Sequence, residues 1–170
     1  MYLRPKLGTT YHSQDLILAH VIFFNAKMLM MKLLQIELPE RFQDYGLLIL
    51  RVGFGFSLLY GHGFGKLLRL FGPDEIKFGD PYGLGPAISL GLATFAEAIC
   101  AVLIMVGLFT RAALIPMMFT MFTVVFVVNF GKDFGDLEKA ILFGFAFAGL
   151  FLTGPGKYSL DAYLKNTKLD

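Results

Sequence analysis

Three basic residues inside one apolar stretch carry the chemical interest of this sequence. Residues 46–69 are long and apolar enough to cross a bilayer, yet they contain Arg51, His62 and Lys66. A helix turns about 100° per residue, which puts Gly55 about 40°, His62 about 20° and Lys66 about 60° from Arg51. The three bases then share one stripe with glycines beside it. A charge held in hydrocarbon is unfavourable by several kcal/mol even on lenient scales, so this stripe is expected to face other helices or water. Downstream, Glu97 is the single charge in the next apolar run. Antiparallel packing of the two runs separates Arg51 from Glu97 by about 7–10 Å in depth, and a long Arg side chain can close that gap. Arg51 and Glu97 are therefore expected to meet in the interior, directly or through one polar group. A structural ion pair and a substrate site are both open readings of these charges.

Other chemistry is weakly supported. Only one His lies in a stretch long enough to span the membrane, which excludes a bis-His haem within one chain. A metal site built from His62, Glu97 and Cys100 has no diagnostic spacing, and no metal is expected. Cys100, the single cysteine, rules out an internal disulfide or a Cys-x-x-Cys centre and reads as a buried, inert thiol. Phe119, Phe122, Phe126 and Phe130 read as packing against helices or lipid, with a quinone slot between them as the sharper alternative.

The elements that must position these residues follow from composition. The 170 residues are 56% hydrophobic and only 16% charged, with mean hydropathy +0.64, whereas soluble domains carry about a quarter charged residues. Nineteen Phe and nineteen Gly suit closely packed membrane helices. A net charge of +2 without a basic cluster gives no reason to expect a nucleic-acid partner. The expected fold is all-α, a four-helix transmembrane bundle with spans at about residues 46–71, 87–109, 112–130 and 137–154. Pro39 and Glu40 suit the start of the first helix. Gly72-Pro73-Asp74 stops it, and Thr110-Arg111 reads as a tight turn. The fourth span has a charge-free core of about 17 residues, about 25 Å of helix. Small residues at Gly61 and Gly65, and at Ala140, Gly144 and Ala148, are expected to let helices approach closely. Residues 72–86 read as a solvated loop, with a re-entrant or partner-contacting segment as the alternative. Ser159 caps a short C-terminal helix.

Residues 1–30 form a poorly defined extension ahead of the membrane domain at 31–170. Its apolar run, residues 16–24, is too short to span, and translation starting at Met28, Met30 or Met31 would make it a start-site artefact. Lys and Arg outside the spans favour the side holding the termini, six (Lys32, Arg41, Arg111, Lys157, Lys165, Lys168) against four or five (Lys66, Arg69, Lys77, Lys132, Lys139). Both termini are therefore expected in the cytoplasm.

Several motifs together resemble the DoxX family. They are Leu-Arg-Val-Gly at 50–53, Gly-His-Gly-Phe-Gly-Lys-Leu at 61–67, Glu97 with Gly-Leu-Phe-Thr-Arg at 107–111, Glu138, and Gly-Pro-Gly-Lys-Tyr-Ser-Leu-Asp at 154–161. The resemblance covers residues 46–164. It implies a small four-helix protein of the bacterial inner (plasma) membrane. Some members are linked to oxidoreductases, including a thiosulfate–quinone oxidoreductase subunit and a membrane complex with superoxide dismutase and a sulfurtransferase. The function taken from it is a membrane subunit associated with a quinone-linked oxidoreductase system. Arg51, His62, Lys66 and Glu97 would form its polar binding stripe, and Arg111 and Glu138 would support it. The chain has no redox cofactor of its own in this reading; a quinone is the bound cofactor and an oxidoreductase partner protein is required. The lipid bilayer and a homo-oligomer complete the expected partners. The alternatives are a small-molecule or proton transporter that uses the same residues as a relay, and an assembly subunit with no chemistry.

Overall fold

A computed structural model describes residues 13–34 and 39–167. The chain divides into two units, Met1–Leu38 and Pro39–Asp170. The first contains α1 (Ser13–Leu34), whose described side chains, from Ile17 to Met30, are all exposed. Its apolar part, Ile17–Met30, is shorter than a membrane span. The start-site expectation concerns residues that lie partly outside those described.

The second unit is an all-α bundle, with no strand among the described residues. Its helices are α2 (Glu40–Leu58), α3 (Phe64–Leu70), α4 (Pro86–Thr94), α5 (Cys100–Val106), α6 (Thr110–Thr123), α7 (Phe134–Thr153) and α8 (Leu160–Thr167). Three π-helical turns join them: Leu59–Gly63 links α2 to α3, Phe95–Ile99 links α4 to α5, and Val124–Val128 extends α6. Three continuous helices, Arg41–Leu70, Pro86–Val106 and Thr110–Val128, are long and apolar enough to cross a membrane. With α7 they form a four-helix transmembrane bundle. Consecutive spans pack as neighbours, and α7 closes the ring against α2, with Phe54 edge-on to Phe143 at 5.8 Å between ring centroids.

The core is apolar and continuous, built on Leu58, Cys100, Ile104, Leu114, Met117, Phe147 and Leu150. Outside it, large apolar side chains such as Ile49, Tyr60, Leu92, Phe122, Phe126 and Phe145 are exposed. That apolar exterior around a small core is what a hydrocarbon solvent requires, since lipid tails cover the outer side chains and the amides of each helix interior are paired within the segment.

Three local expectations change. The turn between the second and third spans is Gly107–Phe109, and Thr110 already opens α6. Gly107 closes α5 in the left-handed conformation, φ 73°, and Phe109 follows at φ 49°, costly for a residue with a Cβ. Asp161 offsets that strain by accepting the free first-turn amides of Phe109 and Thr110 at 2.8 and 2.9 Å. In the fourth span, α7 ends at Thr153. Its charge-free helix is residues 140–153, about 21 Å long at about 1.5 Å per residue, so Glu138 and Lys139 must sit near the membrane boundary. Among the glycines, Gly144 of α7 faces Met121 of α6, whereas Gly61 and Gly65 face outward with nothing near them and do not serve packing within the chain.

The closest backbone approach at a glycine is at Gly63. A Cβ there would run into the backbone of Glu97 and Ala98, so the first two π turns touch main chain to main chain. Gly63→Ala is expected to destabilise the protein by about 1–3 kcal/mol, the usual overpacking range, while Gly61→Ala is neutral. Thermal denaturation in detergent compares the two; equal behaviour would contradict the close approach described.

Candidate functional site

The π turns decide where the charged side chains go. Along the first span the buried positions are Arg51, Gly55, Leu58 and then Gly63, spacings of four, three and five. An unbroken α-helix would place residue 62 in that series. The π turn, in which the Phe64 amide bonds to the Leu59 carbonyl, inserts one extra residue per turn. Gly63 therefore turns inward and His62 outward. His62 is exposed and leaves the predicted stripe. The α-helical wheel used for the sequence assumed constant pitch, and that assumption fails at this turn.

Arg51 is inside, fully buried, but it does not meet Glu97. Its guanidinium donates to the Ile104 carbonyl at 3.4 Å and to the Tyr158 carbonyl. A Cβ on Gly107 would strike Arg51, so that glycine makes room for the guanidinium. Around it, the Asp161 amide donates to the Gly107 carbonyl at 2.8 Å, and the Lys157 amide donates to Asp44 at 2.9 Å. Tyr45 stacks on Tyr158 at 4.9 Å. Ser159 caps α8, as its sequence position implies, by accepting from the Ala162 amide at 3.1 Å. Arg111 is exposed at the same end and donates to the Phe151 carbonyl at 3.2 Å. These contacts join the start of α2, the α5–α6 turn and the C-terminal segment into a lock.

Burial acts to raise the Asp161 carboxyl, but the Thr110 and Phe109 amides and the Arg51 charge outweigh it and hold the group below the usual carboxylate range. A carboxyl depressed in the folded state contributes stability above its unfolded pKa, about 3.9, and loses it as pH falls through the lower folded value. Stability is therefore expected to be flat above about pH 5 and to fall below about pH 4. Asp161→Asn should lower the plateau and flatten that acid limb. An acid limb unchanged in the variant would assign it to other carboxyls.

The partner of Glu97 is Lys66. Lys66 Nζ pairs with Glu97 Oε2, and Glu97 is only 4% exposed. The predicted Arg51–Glu97 pair is thus replaced by Lys66–Glu97. Gly63 brings the backbone of Glu97 against the first span, and Lys66 lies one helical turn further along the same face. Between this pair and Arg51 lie the buried apolar side chains Leu58, Cys100, Ala101 and Ile104. Glu138 is exposed at the head of α7. Of the six predicted site residues, the structure unites Lys66 and Glu97, sets Arg51 and Arg111 at the other end of the bundle, and leaves His62 and Glu138 on the surface.

Lys66 and Glu97 line a chamber of about 510 Å³. Its walls come from α4, α6 and their π turns, and are largely apolar: Leu92, Ala93, Phe95, Pro116, Phe119, Val124 and Val128. Several of these residues are also exposed on the lipid-facing exterior. The loop before α4, expected to be plainly solvated, contributes Phe78, Pro81, Tyr82 and Leu84 to the lining. Tyr82 stacks on Phe119 at 5.9 Å and its hydroxyl meets Thr123 Oγ1 at 2.9 Å. Asp80 fixes the loop to the start of α4, accepting from Ser89 Oγ at 2.8 Å, the Gly85 amide at 2.7 Å and the Leu84 amide at 2.9 Å. The Ser89 hydroxyl and these amides hold Asp80 below the usual carboxylate range. The phenylalanine row does not form a slot of its own, since Phe122, Phe126 and Phe130 are exposed; Phe119 alone of the four lines the chamber. Sequence reading missed Tyr82, Thr123, Ser89 and Asp80. The unusual length of the loop was their only signal. No group of His, Cys, Asp and Glu that could hold a metal occurs among the described residues.

The family model for DoxX matches residues 46–129. The match is shorter than the resemblance, which ran to residue 164, but it includes Arg51, Lys66, Glu97, the loop over the chamber and Thr123. No curated protein and no solved structure matches the chain. The apolar helices and this match together make the chain a membrane protein with a DoxX-family domain at residues 46–129.

Proposed function

We propose that this protein is a membrane subunit of a quinone-linked oxidoreductase system, and that it holds the quinone ring in the chamber beside Lys66 and Glu97. The observation that supports this is a chamber of about 510 Å³ with mostly apolar walls and one ion pair. Ligand sites commonly occupy about 300–1,000 Å³, with a few polar groups set in apolar surroundings. Walls shared with the lipid-facing exterior suit a ligand that arrives through the bilayer. The Lys66 ammonium can donate to a ring oxygen, while Phe119 and Tyr82 offer flat faces to the ring. A partner protein brings the redox centre, because the chain supplies none in this reading. The proposal sets the protein in the plasma membrane with both termini in the cytoplasm, supported by the distribution of Lys and Arg.

A proton or ion path is less well supported. The buried side chains between Glu97 and Arg51 are apolar, so the intramembrane charges do not form a chain. Purification in mild detergent tests the main reading, with mass spectrometry of bound lipids and proteins and titration with a decyl-benzoquinone. Saturable binding that is lost in Lys66→Met, together with a co-purifying oxidoreductase, is expected. Absence of both would remove the proposal, and charge movement across liposomes would replace it with transport.

A further inference from the structure

The hydroxyls that line the chamber have already committed their hydrogens. Ser89 Oγ donates to Asp80, Thr120 Oγ1 to the Pro116 carbonyl at 2.9 Å, and Thr123 Oγ1 to the Phe119 carbonyl at 2.9 Å. Neither a carbonyl nor a carboxylate oxygen can donate, so the direction of these bonds is fixed. The one hydrogen of Thr123 is spent on Phe119, which makes Tyr82 the donor in its bond to Thr123. Tyr82, Ser89 and Thr120 therefore retain only lone pairs. Glu97 is acceptor-only as a carboxylate; Lys66 holds its Oε2, and its Oε1 has no partner among the described residues. Of the described side chains lining the chamber, only Lys66 has hydrogens left to give.

From this imbalance we infer that the chamber selects the reduced, hydroxyl-bearing form of its ring ligand over the oxidised form, with Glu97 as the residue that takes the ligand's hydroxyl hydrogen. The inference rests on the quinone reading above and names which redox form the site favours. An oxidised quinone carries acceptors alone. Lys66 can satisfy one of its oxygens, but Glu97 Oε1 then faces another acceptor or nothing, and an acceptor buried without a donor is penalised. A hydroquinone brings two O–H groups. One can donate to Glu97 while its oxygen accepts from Lys66, and the other can donate to an oxygen among Tyr82, Ser89 and Thr120. The step is binding only: both hydrogens stay on the ligand, and electrons are exchanged with the partner's redox centre.

The test is a comparison of the two redox forms of one probe on the full-length protein in detergent. Decyl-benzoquinone and decyl-hydroquinone, the latter under anaerobic reducing conditions, are titrated against wild type, Glu97→Gln and Tyr82→Phe. A hydrogen bond to a charged group is strong enough that wild type is expected to bind the hydroquinone about tenfold more tightly or better. Tenfold corresponds to a rise of about 30 mV in the two-electron potential of the bound couple. In Glu97→Gln the amide both donates and accepts, so the preference should disappear through improved quinone binding as well as weaker hydroquinone binding. Tyr82→Phe removes one acceptor and leaves the ion pair intact; it should reduce the preference several-fold and serves as the test should Glu97→Gln not fold. Equal affinity of wild type for the two forms, or a preference unchanged in both variants, would overturn the inference and leave the quinone site standing. Failure of both forms to bind wild type would remove the quinone reading and this inference with it.

Discussion

Replacing Arg51 by Ala should destabilise the bundle by about 3–5 kcal/mol, the range for breaking buried charged contacts. Arg51 is fully buried. Its guanidinium ties the end of α5, through the Ile104 carbonyl, to the C-terminal segment, through the Tyr158 carbonyl. Truncation leaves both carbonyls without that donor, opens a void the size of the lost side chain, and removes the charge that supports Asp161. At about 2–4 °C per kcal/mol for a chain of this size, the melting temperature should drop by roughly 10 °C. Arg51→Lys should restore little, because an ammonium on a flexible stem does not reproduce a planar fork that reaches two carbonyls at once. Protein that remains folded should keep its ligand affinity, since the chamber lies at the other end of the bundle. Thermal denaturation together with probe binding separates the two properties. A stable Arg51→Ala protein that has lost binding would move Arg51 from the lock to the site.

The second large effect is expected at Lys66 and Glu97, and it is a coupling. Removing one partner of a buried pair leaves an uncompensated charge, unfavourable by about 3–5 kcal/mol, whereas removing both is often nearly neutral. Lys66→Met and Glu97→Gln should each destabilise strongly, and the double variant should lose far less than the two losses added together. Arg51→Ala combined with Glu97→Gln should instead be additive, because those residues contact different parts of the structure. The pair suggested by the sequence predicts the reverse, with coupling between Arg51 and Glu97. Two double-mutant cycles read by thermal denaturation in one detergent therefore decide between the arrangements. Additive losses for Lys66 and Glu97 would show that the ion pair does not hold the helices. If the double variant is stable yet binds no quinone analogue, the pair serves the ligand as well as the fold.

The membrane setting and the all-α bundle were legible in the sequence because they depend on composition and run length. Apolar stretches of about twenty residues admit few structures in hydrocarbon, where each backbone amide must be paired within its own segment. The interior position of Arg51, Lys66 and Glu97 was legible for a similar reason, since charge avoids lipid. The motifs around Leu50, Gly107 and Gly154 were visible as a pattern, and so was the cap at Ser159.

Which charge meets which was a matter for the tertiary structure alone. An α-helical wheel carries constant pitch through residues 46–69, and the π turn at Leu59–Gly63 breaks it. One additional residue in that turn moves His62 outward, Gly63 inward and Lys66 toward Glu97. Depth along the bundle also mattered, because Arg51 and Glu97 lie on opposite sides of an apolar core layer that sequence spacing cannot rank. The chamber was illegible for another reason. It depends on a loop folding back onto two helices through Tyr82 and Asp80, and on hydroxyls whose hydrogens are committed to particular carbonyl and carboxylate oxygens. Hydropathy and periodicity describe single segments. A cavity wall, and the balance of donors and acceptors on it, arises only where several segments are brought together.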